Sequence, residues 1–460
     1  SCIVRVVDGN LYLAGHDLIR QTKTPRPYWT VPASRRAVQM FLHDYAGVRW
    51  LWPNRKGLGT HVPRTETLSF PDDLDRRWDP SFLWVANTAF RVGEGYDLNT
   101  HFKASVPFAT YGGHSYYSAV PKKKYGDSNP EYFALIGTRR ASSQNHLCIS
   151  NPSVQELVYT EMLRRLDEGF EAVELAQTDG YIPCECANCR AIHPDIGEQL
   201  WIVHDKLARR LARERPDAKV IIIAYGPTVE PPKTIPRFGK NVIIELCRYA
   251  PADMAAWGDK ADTFMVYIYN WGYYHTIGFG PKTTPEMAAR QIRFFRDNNI
   301  KAVYACGCGD SWGLEGPVYY IWNRCLDNPD CDWEAELDDY YRSGFGNAYL
   351  PMKAFYDALY SRLQLYGALG RWADLLPGAK PGSLGAKPAT HYTHFFPPTL
   401  IKTLAANLVR AQELEPEGIV RARLDLVARN LQYVTDIATV FHLYRGYQLL
   451  PNWNTFDALA

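Results

Sequence analysis

Three acidic residues occupy positions where a carboxylate needs a reason to be. Asp179 follows the apolar run Ala172 to Ala176 in the turn Gln177-Thr178-Asp179-Gly180, Glu245 interrupts the run Val242 to Leu246, and Glu315 lies in the Trp- and Gly-rich stretch Gly309 to Gly316. An ionisable group at the end of an apolar strand is costly unless it is paired or used. Two carboxyl groups can cleave a glycosidic bond, one giving a proton to the leaving oxygen while the other stabilises or attacks the developing cation. Side chains suited to holding a polar sugar accompany them: Asn87, His114, Tyr116, Gln177, Asn270, Trp271, Tyr273, Asp310 and Trp312. Asp179 and Glu315 are the expected catalytic pair, with Glu245 in reserve. Plainer roles compete at each position. Asp179 with Gly180 can form a turn or a helix cap, Glu315 can sit in a solvent loop, and Glu245 can pair with Arg248. The glycines before His114 can shape a surface turn as well as bring the backbone close to a ligand.

A second constellation is Cys184-Glu185-Cys186-Ala187-Asn188-Cys189, with His193 four residues further on. Three thiols and an imidazole so close together can wrap a tetrahedral zinc ion. Cys184, Cys186, Cys189 and His193 are therefore the expected ligands of a structural zinc bracing the loop after Asp179, and the chemistry itself needs no cofactor. A disulfide plus a free thiol, or reduced cysteines, are the rivals. A catalytic metal fits poorly, because three thiolates usually close a site. Cys306 and Cys308 read as barrel packing, and no local signature marks a Cys/His nucleophile.

These side chains must be carried by something, and the hydrophobic pattern supplies it. From about 80 to 310, short apolar runs alternate with helical stretches, the signature of βα units and a parallel sheet. Eight runs qualify: Phe82 to Ala86, Ser105 to Thr110, Leu147 to Ile149, Ala172 to Ala176, Val220 to Tyr225, Val242 to Leu246, Phe264 to Tyr269 and Ala302 to Ala305. In barrel enzymes the working residues lie at the carboxyl ends of such strands. Before them, Val4 to Val7 and Leu11 to Leu13 flank the hairpin turn Asp8-Gly9-Asn10, and Ala37 to Tyr45 has helical spacing. Helices are expected at Pro152 to Leu166, Glu198 to Arg213, and from the Thr284 cap to Asp297. Beyond about 325 only helices are expected, at Leu337 to Tyr341, Met352 to Leu365, Pro398 to Leu414 and Val420 to Tyr447, with a Gly/Pro-rich link at Pro377 to Pro388. The fold class is an α/β (β/α)8 TIM-type barrel over 76–330, preceded by a small α+β domain over 1–75 and followed by a helical domain over 331–460.

Composition bounds the function. Of 460 residues, 51 are basic and 49 acidic, giving a net charge of +2. That near-balance argues against a nucleic-acid partner. Aromatics at 13%, with 30 Tyr and 13 Trp, suit either a wet sugar pocket or domain seams. No apolar run approaches the roughly 18 residues of a membrane span. The ten cysteines are too few for a disulfide scaffold. No signal segment precedes Ser1-Cys2, as expected where a targeting peptide has been removed or was not included.

Several segments resemble known glycosidases. Arg36-Ala37-Val38, Phe41-Leu42 and Gly47-Val48-Arg49-Trp50-Leu51-Trp52-Pro53 with Gly57 resemble the domain that precedes the barrel in α-glucuronidases and hexosaminidase-like enzymes. Asn129 to Leu135, His146 to Pro152 and Gln177-Thr178-Asp179-Gly180 with its cysteines resemble the bacterial domain-of-unknown-function family 4838. That family is related to glycoside hydrolase family 163, endo-β-N-acetylglucosaminidases acting on complex N-glycans. The resemblance covers roughly residues 1 to 345. It implies a three-part architecture, an exported protein, an oligosaccharide or glycoprotein glycan as partner, and retaining hydrolysis assisted by the substrate's acetamido group. An α-glucuronidase-like hydrolase, with Arg91 or Arg248 receiving a uronate, is the close alternative. A non-catalytic glycan-binding protein on the same fold is the other.

Overall fold

The computed structural model describes residues 1–460 other than 22–27, 32, 53–56, 88–90, 93–95, 98–109, 112, 141–144, 269–279, 282, 306–310, 366–387 and 459–460; at 18–21, 28–31, 86–87, 91–92, 96–97, 110–111, 365 and 390 it describes the backbone alone. The chain opens with the expected hairpin. Strand β1 (Cys2–Val7) pairs antiparallel with β2 (Asn10–Gly15), and Val7 faces Asn10 across the turn. Asp8 and Gly9 both take positive φ, 49° and 73°, the backbone that a two-residue hairpin requires. Strand β3 (Asp75–Trp78) adds to the other edge of β1. Helix α1 (Ala33–Asp44) covers this sheet, burying Ala33, Ala37, Met40 and Phe41 against Cys2, Val4 and Leu74.

Seven parallel strands form the central sheet: β4 (Trp84–Asn87), β5 (Thr110–Tyr111), β6 (Ala172–Leu175), β7 (Lys219–Ala224), β8 (Val242–Leu246), β9 (Thr263–Ile268) and β10 (Ile300–Ala305). Their order is β5-β6-β7-β8-β9-β10-β4. The first strand in sequence therefore pairs with the last, so the sheet curls as a barrel wall does. Among the described residues no ladder joins β4 to β5, and a closed ring of eight is not seen. The expected third strand, Leu147 to Ile149, is not part of the sheet. Leu147 makes an isolated antiparallel bridge with Phe133 instead. A three-residue apolar run cannot by itself be distinguished from a buried extended loop, and Asn145 at φ 56° breaks the chain just ahead of it.

Side-chain alternation sorts the strands into two faces. Val173, Leu175, Val220, Ile222, Ile244, Leu246, Val266 and Val303 belong to the main core shared with the helices. Ala172, Ile221, Ile243, Met265 and Ala302 pack together on the concave side, with Trp84 and Tyr304 against them. Two residues further along their strands, Glu174, Ile223, Glu245, Tyr267 and Tyr304 share that concave side. Burial on both faces explains the near-continuous Val/Ile/Leu runs of β7 and β8.

The surrounding helices are α2 (Pro152–Asp167), α3 (Ile196–Glu214), α4 (Pro285–Asp297), α5 (Trp312–Asp327), α6 (Trp333–Phe345), α7 (Tyr349–Leu365), α8 (Pro398–Leu414) and α9 (Gly418–Leu449). Helix α4 starts as expected, with the Thr284 hydroxyl accepting from the Met287 amide at 3.3 Å. Helix α5 stands where the Trp- and Gly-rich stretch reads in sequence as a loop after the last strand, whether holding Glu315 as an acid or open to solvent. It is buried along almost its whole length. Gly316 is there for space: a Cβ would lie 2.5 Å from Trp52 Nε1 and 2.6 Å from the Tyr340 hydroxyl. The link expected at Pro377 to Pro388 falls almost wholly outside the described residues.

A buried ionic seam ties α1 to α5 and α6. Arg36 bonds Asp327, Arg324 lies 3.5 Å from Asp327 and 2.6 Å from Glu336, and His43 Nε2 lies 3.6 Å from Glu336. Removing one anion from such a network strands its cations out of water. Asp327→Ala is expected to lower unfolding free energy by about 3–5 kcal/mol. Asp75→Ala, which breaks the exposed Arg5–Asp75 pair, is expected to cost under about 1 kcal/mol. Urea titration of the two variants checks the contrast.

Candidate active site

Glu174 and Glu245 are hydrogen-bonded to each other inside the curled sheet, one from β6 and one from β8. They are 6% and 3% exposed. Two carboxyl groups in contact cannot both be ionised in such a place, so the pair holds a proton. Burial is the main cause that pushes Glu245 well above the usual carboxylate range, and the adjacent charge of Glu174 adds to it. Burial also raises Glu174, but the Gly113 amide and the neighbouring His114 ring pull the other way. The held proton therefore belongs on Glu245 and the charge on Glu174.

The turn after β5 is built to make that contact. Gly113 has φ 96°, a conformation that disfavours any side chain, and it turns its N–H onto Glu174 Oε2. His114 follows at φ 30°, strained for a residue with a Cβ, and its Nδ1 lies 2.6 Å from the Gln177 carbonyl. Above the glutamates, Asp179 is exposed at the rim. Its Oδ1 accepts from the Tyr225 hydroxyl at 3.0 Å and from the Gly180 amide at 2.9 Å. The rings of His114 and Tyr225 are 6.1 Å apart, and Tyr117 beside His114 is 43% exposed. On the other side of the concavity, Tyr304 stacks on Tyr267 at 4.7 Å and on Trp84 at 6.0 Å. All three rings are partly exposed, as a surface for a sugar ring requires.

The expected residues divide clearly. Asp179 and His114 both border Tyr225, and Glu245 is linked to the His114 turn through Glu174 and Gly113. Arg248 does not pair with Glu245; it is held by Glu230 at 2.6 Å and Asp253 at 2.8 Å. Glu315 is on buried helix α5, where its Oε2 accepts from Tyr319 at 2.5 Å. Tyr116 is no open platform: it is 2% exposed with its hydroxyl 2.8 Å from His204 Nε2. Trp312 is likewise buried, 4.8 Å edge-to-face with Tyr319. Gln177 is fully buried and braces the rim by donating to the Tyr225 carbonyl at 2.8 Å and Thr228 Oγ1 at 3.0 Å. Asn270, Trp271, Tyr273 and Asp310, with the side chains of Asn87 and Arg91, lie outside the described residues.

Cys184, Cys186 and Cys189 do converge, but their fourth partner is Cys148 and not His193. His193 Nδ1 accepts instead from the Asp195 amide at 3.0 Å, in the turn that opens α3. The sequence signals for the missed residues were present. Glu174 interrupts an apolar run as Glu245 does, and Cys148 sits in an apolar run just ahead of the Asn151 helix cap.

A family model described as "Domain of unknown function (DUF4838)" matches residues 56–357. The sequence finds no match among curated proteins. Among solved structures the chain is similar to a family 89 glycoside hydrolase from Clostridium perfringens. In complex with its substrate GlcNAc-α-1,4-galactose, that enzyme aligns at 11% identity and TM-score 0.51, over 93% of this chain and 57% of that one. With PUGNAc the values are 12%, 0.52, 93% and 58%, and with 2-acetamido-1,2-dideoxynojirmycin 11%, 0.51, 97% and 60%. At such identity the likeness is one of fold, and this chain spans less than two thirds of the length of those enzymes.

The carboxylate pair has a measurable consequence. A carboxyl group raised above its ordinary value of 4.5 binds its proton more tightly folded than unfolded. The stability that this lends is complete below that value and is lost as pH rises toward the folded pKa. For one held proton the slope approaches about 1.4 kcal/mol per pH unit. Glu245→Gln keeps a donor beside Glu174 and is expected to flatten this decline. Denaturation midpoints measured across pH 4 to 8 check it, and an unchanged slope would contradict the shared proton.

Proposed function

The chain belongs to the DUF4838 family, and on that premise and the site above we propose that it hydrolyses a glycosidic bond in a glycan bearing an acetamido sugar. The observation that carries the reading is a proton-holding glutamate pair, facing stacked aromatic rings, inside the curve of a parallel sheet. Glu174 and Glu245 touch, which is closer than the about 5–5.5 Å between the carboxyl groups of ordinary retaining enzymes. They therefore act as one unit, with the charge of Glu174 helping to hold the proton on Glu245.

In the proposed reaction Glu245 gives its proton to the leaving oxygen as the glycosidic bond breaks. The substrate's acetamido carbonyl oxygen bonds to the anomeric carbon, and Asp179, steadied by Tyr225, accepts the acetamido N–H. Water then attacks that carbon, displacing the acetamido oxygen as the amide re-forms, and loses a proton to Glu245, which restores the starting state. Trp84, Tyr304 and Tyr267 support the sugar face. An endo-β-N-acetylglucosaminidase acting on complex N-glycans is the specific form favoured by the family relationship. The uronate alternative loses one of its two cations, because Arg248 is already paired with two carboxylates.

Glu245→Gln and Asp179→Asn are each expected to lower kcat about 10²- to 10⁴-fold. The assay is mass spectrometry of glycans released from a complex N-glycoprotein, with glucuronoxylan fragments run in parallel. Chains released with one N-acetylglucosamine left on the protein support the proposal, while free uronic acid selects the rival. Saturable binding without turnover selects a glycan-binding protein, and normal hydrolysis by both variants overturns the residue assignment.

A further inference from the structure

Cys148, Cys184, Cys186 and Cys189 come from two separate stretches of chain, yet their sulfurs all lie within 4.8 Å of one another. Cys148 Sγ is 3.7 Å from Cys186 Sγ and 3.8 Å from Cys189 Sγ. A zinc ion with Zn–S bonds of about 2.3 Å places the sulfurs of a regular tetrahedron about 3.8 Å apart. These separations are far longer than the about 2.05 Å of a disulfide. Cys148 also approaches two partners almost equally, where a disulfide would choose one. We propose that these four thiolates hold one zinc ion in a closed structural site.

The surroundings suit the charge that such a site carries. Four thiolates around a divalent ion leave a net charge of −2, which buried sulfur tolerates only with donors around it. Arg140 Nη1 lies 3.7 Å from Cys184 Sγ and is held in place by donating to the Phe133 carbonyl at 3.0 Å. The Leu135 amide donates to Cys184 Sγ at 3.3 Å, and the Cys189 amide to Cys186 Sγ at 3.4 Å. Ser150 Oγ lies 3.0 Å from Cys189 Sγ and 3.8 Å from Cys186 Sγ. Cys148, Cys184 and Cys189 are buried and Cys186 is partly exposed. Four thiolate ligands leave no open position, so the ion would hold structure and not react with substrate.

Its structural effect follows from where the ligands sit. Cys184 to Cys189 continue the loop that carries Asp179, and Cys148 precedes the Asn151 cap of α2. The backbone at the junction is already paired, Glu185 N–H donating to the Leu135 carbonyl at 2.8 Å. The metal would clamp the rim loop to the segment that Leu147 anchors beside the sheet. This assignment does not depend on the hydrolytic reading, because metal content is measured without substrate.

The test is metal analysis of the purified chain with a thiol count, followed by replacement of zinc with cobalt. One zinc per chain, four protected thiols and the visible bands of tetrahedral thiolate-bound cobalt are expected. Arg140→Gln is expected to weaken zinc binding about 10- to 100-fold. His193→Ala should bind a full equivalent, whereas Cys148→Ser should lose the ion. Should Cys148→Ser fail to fold, the cobalt spectrum of the wild type still decides the ligand set. No uptake of zinc by the reduced chain, or peptide mapping that finds these cysteines in two disulfides, overturns the proposal, as does loss of metal in His193→Ala.

Discussion

A strand in a curled parallel sheet is buried on both faces, by helices outside and by its opposite strands inside. Any ionisable group on the inner face must therefore find a partner within the curve or stay neutral. Glu174 and Glu245 solve this together, sharing a proton and drawing one backbone N–H from the Gly113 turn. Much else follows from keeping that arrangement. Gly113 must adopt a positive φ to present its amide, His114 is strained behind it, and Gln177 is buried to tie the β6 loop to the turn after β7. Among the described residues, Gly113 and His114 depart from local backbone preference beside the buried glutamates of the concave face.

The rest of the chain holds that interior in shape. The α1 helix and the following Trp50-Leu51-Trp52 segment are not an independent appendage, since Trp52 packs edge-to-face on Tyr340 and Phe345 of α6. Arg423 of α9 reaches back to donate to the carbonyls of Leu58 and Thr60. Helix α5 lies at the centre of these contacts, and its glycines and tyrosines serve close packing. The aromatic richness of the sequence therefore has two sources. Many tyrosines fill seams between helices, as Tyr340, Tyr341, Tyr356 and Tyr360 do, while Trp84, Tyr267 and Tyr304 remain partly open on the concave wall.

The glutamate pair and the thiol cluster lie close together in sequence. The β6 strand carries Glu174, the turn after it carries Asp179, and the cysteines follow within the next ten positions. A loop that must present a carboxylate at a rim while running over the surface has few buried contacts to fix it. The contacts of Cys186 and Cys189 with the Cys148 segment fix it without placing bulk in the mouth.

The sequence by itself determined the hairpin, most of the parallel strands and most of the helices, but not helix α5 or the absence of Leu147 to Ile149 from the sheet. Periodicity of two or of 3.6, helix caps such as Thr284 and turn residues such as Asp8-Gly9 are local signals, and local signals survive without tertiary context. It also determined that Glu245 interrupts an apolar strand, that Asp179 follows one, and that three thiols were bunched. Only the tertiary structure decided which groups meet. Glu174 and Glu245 are separated by a whole βαβ unit and touch because the sheet curls, and Cys148 reaches its partners across the α2 helix and β6. Glu315, Tyr116 and Trp312 had the right residue types near strand ends, yet packing turned each into the core. Residue type reports what a side chain can do, whereas the curl of the sheet and the burial it imposes decide what surrounds it.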